Sequence, residues 1–253
     1  MQRSNTYVII FSAIMTIIIG GVMSTASVVL KPAQDKQIEL DTKKKILGAV
    51  MDISSIKDPN QLLDIYKSRV RSIVVDLEGN PVKNDEKGNV LEAEKINIQK
   101  NHKTAAESRV YPVFMWMEEN DSTQVNAYIF PMFGNGLWDW ISGFIAVDKD
   151  LNTVRGIAFD HKGETPGLGA RITDEKVQAR YVGKKIFDES GNVISITMVK
   201  GEGNTNLTDH QVDGMSGATL TAKGVNKMLA EYLGCYSAYL SKIKSENRLA
   251  VND

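Results

Sequence analysis

The sequence predicts an α+β protein in which a single N-terminal transmembrane helix precedes one exported, strand-rich domain closed by a C-terminal helix. Three observations lead there. No charged residue occurs between Ser4 and Leu30, short apolar runs separated by turn residues crowd the chain after residue 110, and from Leu220 apolar side chains recur at helical spacing. Of 253 residues, 42% are hydrophobic and 24% charged. That is the mix of a chain that packs a core and not of a disordered one.

Residues 7–30 are almost wholly apolar. As a helix rising about 1.5 Å per residue they extend about 36 Å, enough to cross a hydrocarbon layer of about 30 Å. Arg3 and the α-amino group are the positive charges on the N-terminal side. The positive-inside tendency therefore predicts a cytoplasmic tail over residues 1–6 and export of everything after Lys31. Ser24-Thr25-Ala26 offers a cleavable signal peptide as the alternative. The apolar run outlasts the usual signal core and continues through Val28-Val29-Leu30, which favours a retained anchor in membrane lipid.

Residues 31–56 read as a juxtamembrane helix, with Asp41 to Lys45 on a solvated face and Ile46, Leu47, Val50 and Met51 apolar. Residues 57–108 read as irregular, holding a short helix over 61–70, a strand over 71–76 and a turn at 78–80. The segment 31–108 is thus set apart from a main domain over 109–245 and a polar tail over 246–253. Strands are expected at 110–118, 124–130, 141–148, 153–159 and 193–200, with a solvated hairpin tip at 118–121 and a turn at 189–192. A helix over 174–181 takes Thr173 as its N-cap and acidic residues in its first turn. In the last helix Ala222, Val225, Met228, Leu229, Tyr232, Leu233, Tyr236, Tyr239, Leu240 and Ile243 share one face, with Cys235 as a small core thiol.

Charge and composition exclude several chemistries. Thirty Lys and Arg against 31 Asp and Glu leave a net charge of −1, so nothing draws the chain generally to nucleic acid. One cysteine and three histidines exclude a disulfide framework and a zinc site of several thiolates, and no metal site is expected. The calcium-like run beginning at Asp148 has Thr153 where a glycine is needed and Phe159 where the bidentate acid belongs. Asp209-His210 near Ser216 lacks a nucleophile elbow. Gly134 and Gly136 could open a dinucleotide loop, but the third glycine position is Asp139. Any redox chemistry must come from a bound cofactor.

One stretch carries chemistry: Asp213-Gly-Met-Ser-Gly-Ala-Thr219, followed by Leu220 and Thr221. Gly214 and Gly217 allow a tight turn into a helix whose first N–H groups are unpaired and whose dipole is positive there, and Ser216, Thr219 and Thr221 add hydroxyls. Such a place suits a phosphate; it equally suits a helix cap with no ligand.

The seven residues 213–219 resemble the flavinylation motif of the FMN-binding domain family, matching at Asp213, Ser216, Gly217, Ala218 and Thr219. With the single anchor, the segment from Phe130 to Gly143 containing Gly134-Asn-Gly-Leu-Trp138, and Glu164-Thr-Pro-Gly-Leu-Gly169, the chain is similar over nearly its whole length to the C subunits of bacterial Na⁺-translocating NADH:quinone reductases. The resemblance implies FMN esterified through its phosphate to the Thr219 hydroxyl, attached by a separate flavin transferase that uses FAD and Mg²⁺. It implies an electron carrier with no acid–base catalytic residue of its own, relaying single electrons within an enzyme complex of flavin and iron–sulfur subunits that reduces ubiquinone and exports Na⁺. It places the anchor in the bacterial inner membrane, with the main domain outside the cytoplasm. Leu137, Trp138 and Leu168 then become candidates for the faces of the flavin ring, Glu164, Thr165 and Gly169 for its edge, Gly136 for the loop beside it, and Thr221 for the phosphate. Lys200 is a candidate positive charge near the ring, while Trp140 reads as a core aromatic. The G subunit of an Rnf-type ferredoxin:NAD complex carries the same motif and is the alternative within the family. A non-redox, membrane-anchored binding domain is the alternative outside it.

Overall fold

The computed structural model describes residues 4–85, 87–119, 121 and 123–250, the last four by backbone alone. Arg3 and the start of the expected tail, Asn120 in the expected hairpin tip, and the final three residues lie outside the described residues. The chain divides into a unit ending at Asp41 and a second running from Thr42 to the end.

Helix α1 (Asn5–Gly48) is continuous and contains Pro32. The division expected at residue 30 between anchor and juxtamembrane helix is therefore absent from the backbone, because one proline removes a single ladder bond without ending the helix. Every described side chain through Glu39 is exposed, including Ile9, Ile17, Met23, Val28 and Val29. An apolar helical stretch that buries none of its side chains against protein needs another apolar environment.

The second unit is organised by a five-stranded antiparallel sheet in the order β1-β2-β3-β4-β5. Its strands are β1 (Val70–Val75), β2 (Tyr111–Met117), β3 (Val125–Asn135), β4 (Trp140–Asp148) and β5 (Val154–His161). The short helix expected over 61–70 is α2 (Pro59–Arg69), started by Asp58, whose carboxylate accepts the Asn60 N–H at 2.9 Å. The chain turns from α2 directly into β1, which pairs with β2 from Val70↔Trp116 to Val75↔Tyr111. Between these two strands lies the short helix α3 (Ile98–His102), capped by the Asn97 side chain on the Lys100 N–H at 2.9 Å. The boundary expected at residue 109 therefore moves back to Thr42, because β1 is part of the sheet.

Side chains alternate between two covered faces, which is why β2 and β3 are apolar almost throughout. Tyr128, Phe130, Met132, Ile141, Ile145 and Val147 join one core with the final helix. Phe114, Trp116, Ala127, Ile129 and Ala146 join another with Ile46, Leu47, Leu62 and Tyr66 from the end of α1 and from α2.

Two expectations are corrected in the stretch that follows β5. The helix expected at 174–181 is broken into a 3₁₀ turn at Gly169–Thr173, one turn of α-helix α4 (Glu175–Gln178), and a 3₁₀ turn at Ala179–Tyr181. Asp174 occupies the cap position with extended backbone, and the Thr173 hydroxyl donates instead to the Ala170 carbonyl at 3.0 Å. The strand expected at 193–200 is broken into an isolated antiparallel bridge between Val193 and Phe187 and the two-residue strand β6 (Thr197–Met198), which pairs in parallel with β7 (Gln211–Val212).

Helix α5 (Thr219–Ala250) begins one residue before the expected start and runs into the expected polar tail as far as Ala250. Its Asn226 side chain takes both the N–H and the carbonyl of Met198, at 2.8 and 2.9 Å, where a longer strand would find a neighbour. Val225, Leu229, Tyr232, Leu233, Tyr236 and Leu240 are each at most 1% exposed, and the Tyr236 hydroxyl donates to the Pro112 carbonyl of β2 at 2.8 Å. Cys235 is half-buried on the same helix.

Leu229→Ala should lower stability by about 2–5 kcal/mol through the cavity it leaves, while Leu220→Ala, the same deletion at a side chain 55% exposed, should change it by under about 0.5 kcal/mol. Thermal melting of the detergent-solubilised chain measures the difference.

Candidate functional site

Three glycine-containing segments converge at one end of the sheet. The first, residues 136–139, is the tip of the β3–β4 hairpin, closed by the Gly136 N–H on the Asp139 carbonyl at 2.8 Å. The second is the 163–169 loop after β5, and the third is the 213–219 turn that opens α5. Glu164 joins them. Its carboxylate is 4% exposed; Oε1 accepts the N–H groups of Leu137 at 2.7 Å and Trp138 at 3.2 Å, and Oε2 accepts the Thr221 hydroxyl at 2.5 Å. The two oxygens lie where side chains would otherwise be. A Cβ on Gly136 would come within 2.3 Å of Oε1, and one on Gly169 within 2.3 Å of Oε2 and 2.4 Å of the Thr221 hydroxyl. Those glycines are required by close approach and not by a phosphate.

With its backbone pinned, the hairpin tip turns its side chains outward. Leu137 is 45% exposed and Trp138 is 69% exposed, the indole N–H donating to the Thr165 hydroxyl at 3.2 Å. Leu168, 42% exposed, reaches over the backbone of Gly217, where a Cβ would stand 2.7 Å from its Cδ2. Leu137, Trp138 and Leu168 thus present apolar surface to solvent at the site, while Trp140 packs on the core beside Phe133. Glu164, expected at the edge of the ring, and Thr221, expected at the phosphate, use their polar atoms on each other, and Glu164 also on the hairpin.

Thr219 is the first residue of α5, preceded by the buried Ala218, whose carbonyl accepts the Ala222 N–H at 2.9 Å. It lines a cavity of about 450 Å³ whose wall also includes Lys200, Gly201, Met215, Lys223 and Asn226. The structure therefore brings Lys200 to the same cavity as Thr219, and adds Lys223, one helical turn further along. That spacing was visible in the sequence, since residues four apart share a helix face.

Asp213 does not face the cavity's threonine. It accepts the N–H groups of Gly203 and Asn204, each at 2.9 Å, and the Asn204 amide at 2.8 Å, shaping the 201–204 loop. Partial burial pushes its carboxyl up, but those donors and the Arg180 charge outweigh it and leave it below its usual range. Arg180 was not legible in the sequence. It donates to the carbonyls of Asp213, at 3.1 Å, and of Gly214, across a gap of 33 and 34 residues, so no local pattern announces it. Arg180 also meets Glu202 at 3.0 Å, and Arg171 grips Glu202 in a two-point contact at 3.0 and 2.6 Å. Glu202 in turn accepts the N–H of the exposed Ser216 at 3.3 Å. The two guanidinium groups and the Ser216 N–H hold the Glu202 carboxyl at about 2, against an ordinary 4.5.

The residues present fit a flavin mononucleotide: exposed aromatic and aliphatic surface for a planar ring, and a threonine and two lysines around a cavity for a phosphate. Comparison with known proteins agrees. The model of the FMN-binding domain family matches residues 136–234. The C subunit of the Na⁺-translocating NADH-quinone reductase of Haemophilus ducreyi is 34% identical over 257 residues, covering 95% of this chain and 93% of that protein. Its counterpart from Neisseria meningitidis serogroup A is 34% identical over 255 residues, covering 96% and 95%. The crystal structure of the counterpart from Parabacteroides distasonis superimposes with a TM-score of 0.70 at 33% identity, covering 84% of this chain and 97% of that one. NqrC of Shewanella oneidensis gives 0.69 at 25% identity, covering 83% and 99%.

Because Glu202 titrates lower in the folded chain, its contribution is complete above pH 4.5 and disappears as pH falls toward 2. Glu202→Gln should therefore melt below the parent at neutral pH, with the gap closing across that acid window; a gap independent of pH would contradict the assignment.

The three convergent loops, the matched domain and the length of the shared sequence together place the chain in the family of the C subunits of Na⁺-translocating NADH-quinone reductases, an oxidoreductase complex, with that family's FMN-binding domain.

Proposed function

We propose that this chain is the covalently flavinylated electron-carrier subunit of a Na⁺-translocating NADH:quinone reductase, with FMN esterified to Thr219. The observation that carries the reading is the position of Thr219: a hydroxyl-bearing residue at the first position of a long helix, lining a cavity with Lys200 and Lys223. The helix start and the two ammonium groups favour an anion there. In the attachment step the Thr219 oxygen forms a bond to the FMN phosphorus of FAD, the bond between the two FAD phosphates breaks, AMP leaves, and the hydroxyl proton passes to solvent or to a base of the transferase. Bound FMN supplies one-electron redox chemistry that no side chain of this protein can provide. The protein's own part is to hold it: Leu137, Trp138 and Leu168 offer apolar contact for the ring, while Arg180 and Asp213 shape the turn that presents Thr219.

The exposed apolar stretch of α1 supports a single-pass anchor, and the sparse positive charge before it supports export of the domain. A covalent ester suits that compartment, where a dissociated FMN would be lost by dilution. Electrons from cytoplasmic NADH then reach the domain through partner flavin and iron–sulfur subunits.

Co-expression with a flavin transferase should give a band fluorescent under ultraviolet light after denaturing electrophoresis. Thr219→Val should abolish the fluorescence and leave the melting temperature of the chain nearly unchanged, whereas Thr219→Ser should keep a fluorescent band. A wild type that stays dark under these conditions contradicts the proposal.

A further inference from the structure

Glu164 is a buried titratable group that the attachment chemistry does not use. A carboxylate 4% exposed is costly unless its oxygens are strongly hydrogen-bonded. Here all three partners, the N–H groups of Leu137 and Trp138 and the Thr221 hydroxyl, are neutral donors. They satisfy the oxygens without cancelling the charge. The location of that charge is closely defined, because Gly136 and Gly169 leave room for these two oxygens and for no Cβ of their own. It also lies at the site: its donors belong to the residues bearing the exposed Leu137 and Trp138 side chains and to the first turn of α5, two residues after Thr219.

We propose that Glu164 is a positioning residue whose fixed negative charge also lowers the reduction potential of the flavin held at Thr219. The inference rests on the reading that FMN is attached there. Its carboxylate fastens the hairpin tip to the start of α5, which sets Trp138 and Thr219 in one frame. At the same time, a negative charge in a poorly solvated place raises the cost of adding an electron to a neighbouring group. Structural support and electrostatic tuning thus come from the same atoms, and two variants separate them. Glu164→Gln preserves shape, since one amide oxygen can keep the two backbone N–H groups while the amide nitrogen donates to the Thr221 oxygen, but it removes the charge. Thr221→Val keeps the charge and removes the hydroxyl that partly offsets it.

The experiment is a spectroelectrochemical titration of the full chain, flavinylated by co-expression with a flavin transferase and purified in detergent, following visible flavin absorbance. Glu164→Gln should shift the midpoint potential upward and Thr221→Val downward; either variant decides if the other fails to fold. Unmoved potentials, or shifts of both variants in one direction as general loosening would give, overturn the tuning role. On the flavin-free chain, Glu164→Ala should melt well below wild type and Glu164→Gln should recover most of the loss; equal melting of all three overturns the positioning role. A wild type that carries no covalent flavin overturns the attachment reading and this inference with it, whereas a flavinylated chain with unmoved potentials overturns this inference alone.

Discussion

The site depends on one buried carboxylate that three segments must satisfy together. Glu164 comes from the loop after β5, two of its donors from the β3–β4 hairpin and the third from α5. Remove any of them and a polar group is left unpaired in the protein interior, which costs more than an ordinary hydrogen bond contributes. The sheet supplies the rigid part of this arrangement: β3, β4 and β5 lie side by side, and α5 is fixed to the sheet by a row of buried apolar and tyrosine side chains. Loops carried by such a scaffold can hold exposed apolar residues without collapsing onto them. That is how Trp138 stays open to solvent while its own backbone N–H is held by a buried carboxylate.

A second, outer ring of contacts shapes the turn before Thr219. Arg180 holds the carbonyls of Asp213 and Gly214, Glu202 bridges Arg180, Arg171 and the Ser216 N–H, and Asp213 organises the 201–204 loop. Five residues of the 213–219 motif are thereby divided in role. Asp213 and Gly214 engage the protein, and Ser216, Gly217 and Thr219 are left at or near the surface. A motif read as a ligand-binding string is, in its first half, a structural tie.

Much of the fold was legible. The uncharged stretch before Leu30, the short apolar runs between turn residues and the helical period after Leu220 all reflect local rules of burial, and each is present. What the sequence conceals involves partners distant along the chain. Residues 193–200 carry strand-like composition, yet they pair only as a bridge at Val193 and as the two residues of β6, and Asn226 on α5 takes the Met198 N–H and carbonyl that a further strand would take. The strand expected at 71–76 is present as β1, but its pairing with β2, from Val70↔Trp116 to Val75↔Tyr111, joins residues about 40 apart, so the charges and turns of 57–108 make that segment read as separate from the main domain. The same holds at the site. Glu164, Thr221 and Gly169 were identifiable as members of one end of the molecule, but the contact of Glu164 with Thr221 spans 57 residues, and only the folded chain shows that the carboxylate faces inward. Arg180 gave no signal at all, because a guanidinium on backbone carbonyls leaves no spacing to read.

On this account the chain is a holder: an anchor, a sheet, and three loops arranged so that one threonine hydroxyl stands at a helix start beside two lysines. The direct measurement is tandem mass spectrometry of the peptide containing residues 213–219, from protein purified out of its native membrane. The expected result is a mass increment of one FMN less one water, localised to Thr219. An unmodified peptide, or the flavin found on another residue, would contradict it.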